Sequence, residues 1–281
     1  MSPHFMYLSG GAPTGPWRVS GSAFVGTVPA FDFGFVARTF FIRSDGSQLF
    51  IIRESNEKVR RYSFGTAWDA STLSYDGSSF DGDLSSFMPN LRPHNLWFNP
   101  AGTRMYACDF TGVGPTLTIY EFTLSISWNP STRSFINSFV LSGIDTELIV
   151  GQGGLVMKSD LSSLFIGDSN ADTVHEFTFG TSGDVTTLST ANKILDRTPE
   201  ADPHIGFFFK DDGTRLFSNT SAEIFEYDLT IAFDVTTALF NTFSYDFFTN
   251  DAVFGGAQFW KVDGTRYFLL QSDGKLNQWD T

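Results

Sequence analysis

The sequence predicts an all-β fold: a five-bladed β-propeller with four-stranded antiparallel blades, its ring closed by an N-terminal strand that joins the C-terminal blade. Three observations predict it. The 281 residues include 32 Phe, 6 Trp and 8 Tyr, and aromatic side chains favour pleated, half-buried strands. One phrase, an apolar run followed by a polar turn and a second apolar run, recurs five times along the chain. A four-stranded unit repeated at this period is a propeller signature. The repeat is also circularly displaced, because the last copy lacks its final element and that element stands at the front of the chain.

The first two strands of each unit are read from FFIRSDGSQLF (40–50), LWFNPAGTRMY (96–106), LVMKSDLSSLF (155–165), FFFKDDGTRLF (207–217) and QFWKVDGTRYF (258–268). Their turn column is Asp45, Ala101, Asp160, Asp212 and Asp263, roughly 50 to 60 residues apart. Asp-Gly between two apolar runs is a hairpin signal. The third strand follows in VRRYSFG (59–65), IYEFTL (119–124), VHEFTFG (174–180), IFEYDLT (224–230) and LNQWDT (276–281). The fourth follows a Trp-Asp-x-Ser/Thr-Thr loop in AWDASTLSY (67–75), SWNPSTRSF (127–135), SGDVTTLST (182–190) and AFDVTTALF (232–240). Its fifth copy is PWRVSGSAF (16–24), which puts Trp17 in the column of Trp68, Trp128, Gly183 and Phe233. A ring explains a split repeat, whereas a linear solenoid does not. Residues 1–12 are read as an arm and 13–281 as one domain. Trp17, Phe24, Phe31 and Phe33 are expected to be buried against the last blade. Three departures, Ala101 for the turn Asp, Leu161 for the turn Gly and Gly183 for the Trp, are expected to weaken their hairpins.

Composition narrows the function classes. The net charge is −13 and the isoelectric point about 4.6, which argues against nucleic-acid binding, since that needs a basic face. A single cysteine, Cys108, excludes an intrachain disulfide framework and a Cys-rich zinc site. No stretch reaches the ~20 apolar residues of a membrane helix, and the opening MSPHFMYLSGGAPTG lacks the charged start and apolar run of a secretory signal. No cofactor motif is found.

The repeats resemble a propeller repeat family of bacteriophage and marine bacterial reading frames, with its pattern F-S-x-D-G-x-K-M-Y followed by an aromatic alternation and L-S-T-P-W-D-V-S-T. FFFKDDGTRLF with IFEYDLTIAFDVTTA, and FFIRSDGSQLF with YSFGTAWDASTLSYDG, carry the resemblance. It implies a non-enzymatic virion structural protein, a tail, fibre or head-attached module that acts as a rigid docking or host-attachment disk. The implied partners are other virion proteins and a host surface glycan or protein. The implied location is the virion, assembled in the host cytoplasm.

Alternating strand direction places the hairpins between first and second strands on one face with the loops between third and fourth strands. The opposite face collects more than half of the 31 acids, an arrangement that steers basic partners and also serves solubility. On that acidic face Asp145, Glu147, His94, Asp202, His204 and Asp251 are the candidate binding residues. At the ends of the innermost strands Arg43, Lys158, Lys210 and Lys261 form a candidate anion ring, with Asn99 in the remaining blade. Asp168-Ser-Asn-Ala-Asp172 begins like a calcium loop but lacks its Gly and Glu, so no metal site is assigned. A lectin-like propeller, with the Trp17, Trp68, Trp128 and Phe233 column as its sugar-stacking residues, is an alternative. A glycoside hydrolase of five-bladed type, which needs paired carboxylates, is a second.

Overall fold

A computed structural model describes residues 16–19, 22–28, 37–53, 57–88, 93–111, 116–141, 154–168, 172–189, 193–197, 206–220, 223–246, 255–271 and 274–281. Blade 5 is built from β1 (Ala23–Val28), β19 (Gly255–Trp260), β20 (Arg266–Gln271) and β21 (Leu276–Asp280). Blade 1 holds β2 (Ala37–Ile42), β3 (Gln48–Arg53), β4 (Lys58–Phe64) and β5 (Leu73–Tyr75), with β6 (Gly82–Asp83) also on β4. Blade 2 holds β7 (Pro93–Phe98), β8 (Arg104–Thr111), β9 (Thr116–Leu124) and β10 (Arg133–Leu141). Blade 3 holds β11 (Leu155–Met157), β12 (Ser163–Asp168), β13 (Thr173–Thr178) and β14 (Lys193–Asp196). Blade 4 holds β15 (Gly206–Phe209), β16 (Arg215–Asn219), β17 (Glu223–Leu229) and β18 (Ala238–Asp246). Each sheet is antiparallel, and the innermost strands β2, β7, β11, β15 and β19 contact one another in a closed circle. The five-bladed propeller is therefore observed, with β1 as the outer strand of the last blade.

The repeated motif residues build the blades. The carboxylates of Asp45, Asp160, Asp212 and Asp263 accept from the backbone N–H two residues on, at 2.9–3.0 Å, and so lock the first hairpin. In blade 2, where Ala101 has no carboxylate, Asn99 accepts from the N–H groups of Thr103 and Arg104 at 2.8 and 2.9 Å. The hairpin is thus held from a different position and is not left weak. In the fourth-strand loop the side chains of Asp69, Asn129, Asp184 and Asp234 cap one-turn 3-10 helices.

The aromatic column has a special backbone. Trp17, Trp68, Trp128 and Phe233 have φ of 60°, 64°, 61° and 61°, a left-handed conformation that costs a bulky residue roughly 1–2 kcal/mol. It is held because each N–H donates to the turn glycine's carbonyl (Gly264, Gly46, Gly102 and Gly213) at 2.8–3.1 Å, and each ring lies flat on that glycine. A Cβ on any of the four would fall 2.1–2.3 Å from ring atoms. The other ring face packs on a Phe of the preceding blade: Trp17 on Phe217, Trp68 on Phe268, Trp128 on Phe50 and Phe233 on Phe165, with centroids 6.0–6.3 Å apart.

Ring closure repeats these contacts with the N-terminal segment. Glu226 of blade 4, itself buried, accepts from the Val19 N–H at 2.6 Å and pairs with Arg18 at 3.2 Å. Trp17 is buried as expected, and Val19 is buried beside it. Phe24 is not: it is 39% exposed and sets its ring edge against Trp279 at 5.5 Å, because it faces outward from a strand with no further neighbour. Phe31 and Phe33 lie outside the described residues.

Candidate functional site

The inward column of the innermost strands, four residues before the turn Asp column, is Phe41, Trp97, Val156, Phe208 and Phe259. These five meet on the propeller axis. Phe41 contacts Trp97 at 5.2 Å and Phe259 at 5.4 Å, and Phe259 contacts Phe208 at 5.0 Å. Four rings and one smaller Val156 therefore form a floor across the channel. On its other side a second cavity of about 10 Å³ is lined by Thr39, Leu155, Ala257 and Gln258.

On the turn side the floor opens into a bowl of about 230 Å³. Phe98, Trp128, Phe209, Phe233 and Trp260 wall it, and one residue per blade, Ser44, Pro100, Ser159, Asp211 and Val262, forms its mouth. Size and apolar lining suit a small organic ligand. Strand direction explains the placement: side chains on a first strand alternate, so the position that closes the channel and the turn that opens it recur in every blade.

Charge enters the bowl at the mouth only. Asp211 is the one ionisable residue of the mouth column, and among the described residues it has neither a hydrogen-bond nor an ion-pair partner. Asp211 is itself exposed, with the apolar wall of the bowl beside it. Desolvation, and then the charge of Asp212, hold its carboxyl above the usual carboxylate range. Asp212 behaves oppositely. Desolvation pushes it up, but hydrogen bonds from Lys210 and Thr214 prevail and bring it down to about 2.

The candidate anion ring is placed as follows. Arg43 pairs with Asp45 at 3.1 Å, Lys158 with Asp160 at 3.7 Å, Lys210 with Asp212 at 2.6 Å and Lys261 with Asp263 at 2.7 Å. Lys158 and Lys210 also line the bowl. Arg43 lies over the Trp128 ring at 5.1 Å and Lys158 over the Phe233 ring at 5.0 Å. Of the acidic-face candidates, Asp145, Glu147, Asp202, His204 and Asp251 lie outside the described residues. His94 is on β7, with its side chain likewise undescribed.

The tryptophan column does not make sugar platforms. Trp17, Trp68 and Trp128 are 7–8% exposed, because one ring face covers a glycine and the other a neighbouring blade. In the Asp168–Asp172 segment Asp168 is buried and the Asp172 carbonyl accepts the Arg197 N–H at 2.8 Å. Among the described residues no three His, Cys, Asp or Glu side chains gather as metal ligands, and no helix is long and apolar enough to cross a membrane.

The sequence reading missed the bowl. Its signals were present: an inward column aromatic in four blades of five, and a single charge, Asp211, in the column before the turn Asp.

No family model and no curated protein matches the chain. Solved structures do. A luciferin-regenerating enzyme shares 9% identity over 88% of this chain and 91% of its own, with a TM-score of 0.54. The periplasmic gluconolactonase of Pseudomonas aeruginosa shares 15% identity over 83% of this chain, with a TM-score of 0.50. A functionally unknown protein from Desulfotomaculum acetoxidans shares 13% over 86%, with a TM-score of 0.48. The chain spans 64% of the length of each of the last two. At these identities the likeness shows the fold.

These findings correct the expectation of a phage repeat protein. The named activities among these neighbours are enzymatic, so the non-enzymatic reading, the virion and host-surface partners and the virion location are withdrawn with it. The one compartment named among them is a periplasm. There is a physical reason for the error. The Asp-Gly turn, the left-handed aromatic and the capping Asp all serve blade geometry, so the motifs that carried the resemblance report architecture and not role.

Proposed function

We propose that the protein is an enzyme acting on a small organic molecule held in the axial bowl, and that its reaction is hydrolysis of an ester or lactone. The observation that carries the reading is the bowl itself: an aromatic floor and walls, closed at the bottom, with one unpartnered carboxylate at the mouth. The gluconolactonase and the luciferin-regenerating enzyme of the same fold are both small-molecule enzymes by name, which supports the class. In the bowl a flat ligand would stack on Phe41, Trp97, Phe208 and Phe259, out of bulk water, with its polar end toward Asp211. Hydrolysis then adds water across the acyl carbon–oxygen bond, the carbon taking the hydroxyl and the leaving oxygen the proton.

Glycoside hydrolysis fits the bowl less well. It needs two carboxyl groups facing one bond, and the described residues place one there. A sugar-binding role is the second reading, favoured by the stacked aromatic floor, although few lining groups can bond to hydroxyls.

The test is hydrolysis of a panel of five- and six-membered lactones and aryl esters, followed by proton release. The reading expects turnover above background that Asp211→Asn lowers and a leucine at Trp97 lowers further. Turnover indifferent to both substitutions would place catalysis elsewhere, and no turnover with tight sugar binding would favour the second reading.

A further inference from the structure

The charges at the mouth of the bowl select the kind of ligand it accepts. The four cations that rise there are each engaged by the Asp two residues on. Those four pairs are neutral as units. Asp211 stands apart, unpartnered among the described residues and lining the same cavity. The mouth therefore presents a net negative group above aromatic rings.

Aromatic faces are electron-rich and attract cations, most strongly where water is excluded. The protein already uses two wall rings in this way, with Arg43 over Trp128 and Lys158 over Phe233. The floor rings carry no such cation among the described residues. We propose that the bowl binds an organic cation, a quaternary or protonated ammonium on an apolar body, with the charge between Asp211 and the floor rings. An anion would compete with Asp160 or Asp212 for Lys158 or Lys210 and meet the charge of Asp211 at the same mouth, whereas a cation leaves every pair intact. The proposal takes the location of the site from the reading above but not the reaction.

The experiment compares benzyltrimethylammonium with benzoate by calorimetry on the full chain, with quenching of Trp97 and Trp128 fluorescence as a second readout. The ammonium is expected to bind and benzoate to bind at least tenfold more weakly. Asp211→Asn, an exposed turn substitution, is expected to weaken the ammonium about tenfold. Ser159→Asp, which adds a second carboxylate to the mouth, is expected to tighten it. Benzoate binding as well as the ammonium, or neither variant changing the affinity, would overturn the proposal. The two readings fail separately: ammonium binding without hydrolysis of any lactone or ester sinks the enzyme reading alone, and turnover without cation preference sinks this one alone.

Discussion

Leu161 and Gly183 exchange the parts that a glycine and an aromatic residue play in the other four blades. Leu161 occupies the turn-glycine position of blade 3 with φ of 56°, and Gly183 occupies the aromatic position with φ of 70°. A Cβ on Gly183 would lie 2.8 Å from the Leu161 side chain and 2.6 Å from the Tyr106 hydroxyl. Tyr106 stands in the column of Phe50, Phe165, Phe217 and Phe268, and where those rings pack on an aromatic, its hydroxyl donates to the Gly183 carbonyl at 3.0 Å. Two of the three departures from the repeat, Leu161 and Gly183, are thus one coordinated swap across two blades, and for them the expectation of a weakened hairpin gives way to this compensation.

The swap is testable as a mutant cycle. Gly183→Trp alone clashes with both Leu161 and Tyr106 and is expected to cost several kcal/mol. Leu161→Gly alone relieves the left-handed leucine but loses a buried side chain, for a net loss of about 1–2 kcal/mol. Combined with Tyr106→Phe they recreate the arrangement of the other blades, so the triple variant should be more stable than Gly183→Trp by at least about 2 kcal/mol. Urea melts measure this, and simple additivity would refute the coupling.

Ring closure depends on the first described residues. The Trp17 N–H reaches the Gly264 carbonyl at 2.8 Å, Val19 reaches Glu226, and β1 pairs along β21. Removing residues 1–34 leaves β21 as a bare edge and takes two of the partners of the buried Glu226, which keeps Asn241 and Arg215. Truncation should yield an unfolded or aggregating chain by gel filtration. Glu226→Ala, which removes the acceptor of the Val19 N–H and the buried charge that Arg18, Arg215 and Asn241 all approach, should cost about 3–5 kcal/mol. A truncated chain that is monomeric and melts sharply would show that the ring closes without its strand.

How far the sequence could be read follows from these positions. The columns of Asp45, Trp68 and Phe50 were legible because each repeats a local geometric demand: a turn, a left-handed residue, an inward face. Compensation was not, because Leu161 meets Gly183 and Tyr106 only after the blades assemble. The bowl was half legible. Phe41, Trp97, Phe208 and Phe259 form an aromatic column, but whether such a column plugs a channel or lines an open one depends on blade number and radius. Asp211 was hidden beside Asp212, since adjacent acids look alike in sequence and differ only in which one has a lysine.

Acid sensitivity of the first hairpins follows from the turn carboxylates. Asp212 and Asp263 are each brought from 3.8 to about 2: desolvation opposes this, but hydrogen bonds from Lys210 and Thr214, or Lys261 and Thr265, prevail. A carboxyl with a lowered folded-state value stabilises above its unfolded value and loses that contribution as pH falls toward the folded one. Both side chains are about half exposed (52% and 51%), so solvent screening limits each pair to within about 1 kcal/mol. The double variant Asp212→Asn, Asp263→Asn should be less stable than the parent at pH 7, with the gap closing between pH 4 and pH 2. A gap constant across that range would mean the carboxylates are not the source.

A last test concerns Arg61 and Pro130. At three blade junctions a buried third-strand side chain accepts the N–H two places after the left-handed column: Glu226 from Val19, Gln278 from Ala70 and Glu121 from Val185, the last two being the first N–H of a one-turn helix. At the junction of blades 1 and 2 the acceptor column holds Arg61, which cannot accept, and the helix begins with Pro130, which has no N–H to offer. Arg61 instead donates to the Trp128 carbonyl at 3.3 Å and pairs with Asp76 at 2.5 Å. Pro130→Ala should therefore expose an unsatisfied N–H beside a guanidinium and cost about 1–3 kcal/mol. Adding Arg61→Gln supplies an acceptor like Gln278 and should recover part of that loss, although it gives up the Asp76 pair. Recovery in the double variant, measured by denaturant unfolding against Arg61→Gln alone, is the expected outcome. If Pro130→Ala costs the same with arginine or glutamine at position 61, the two residues are independent.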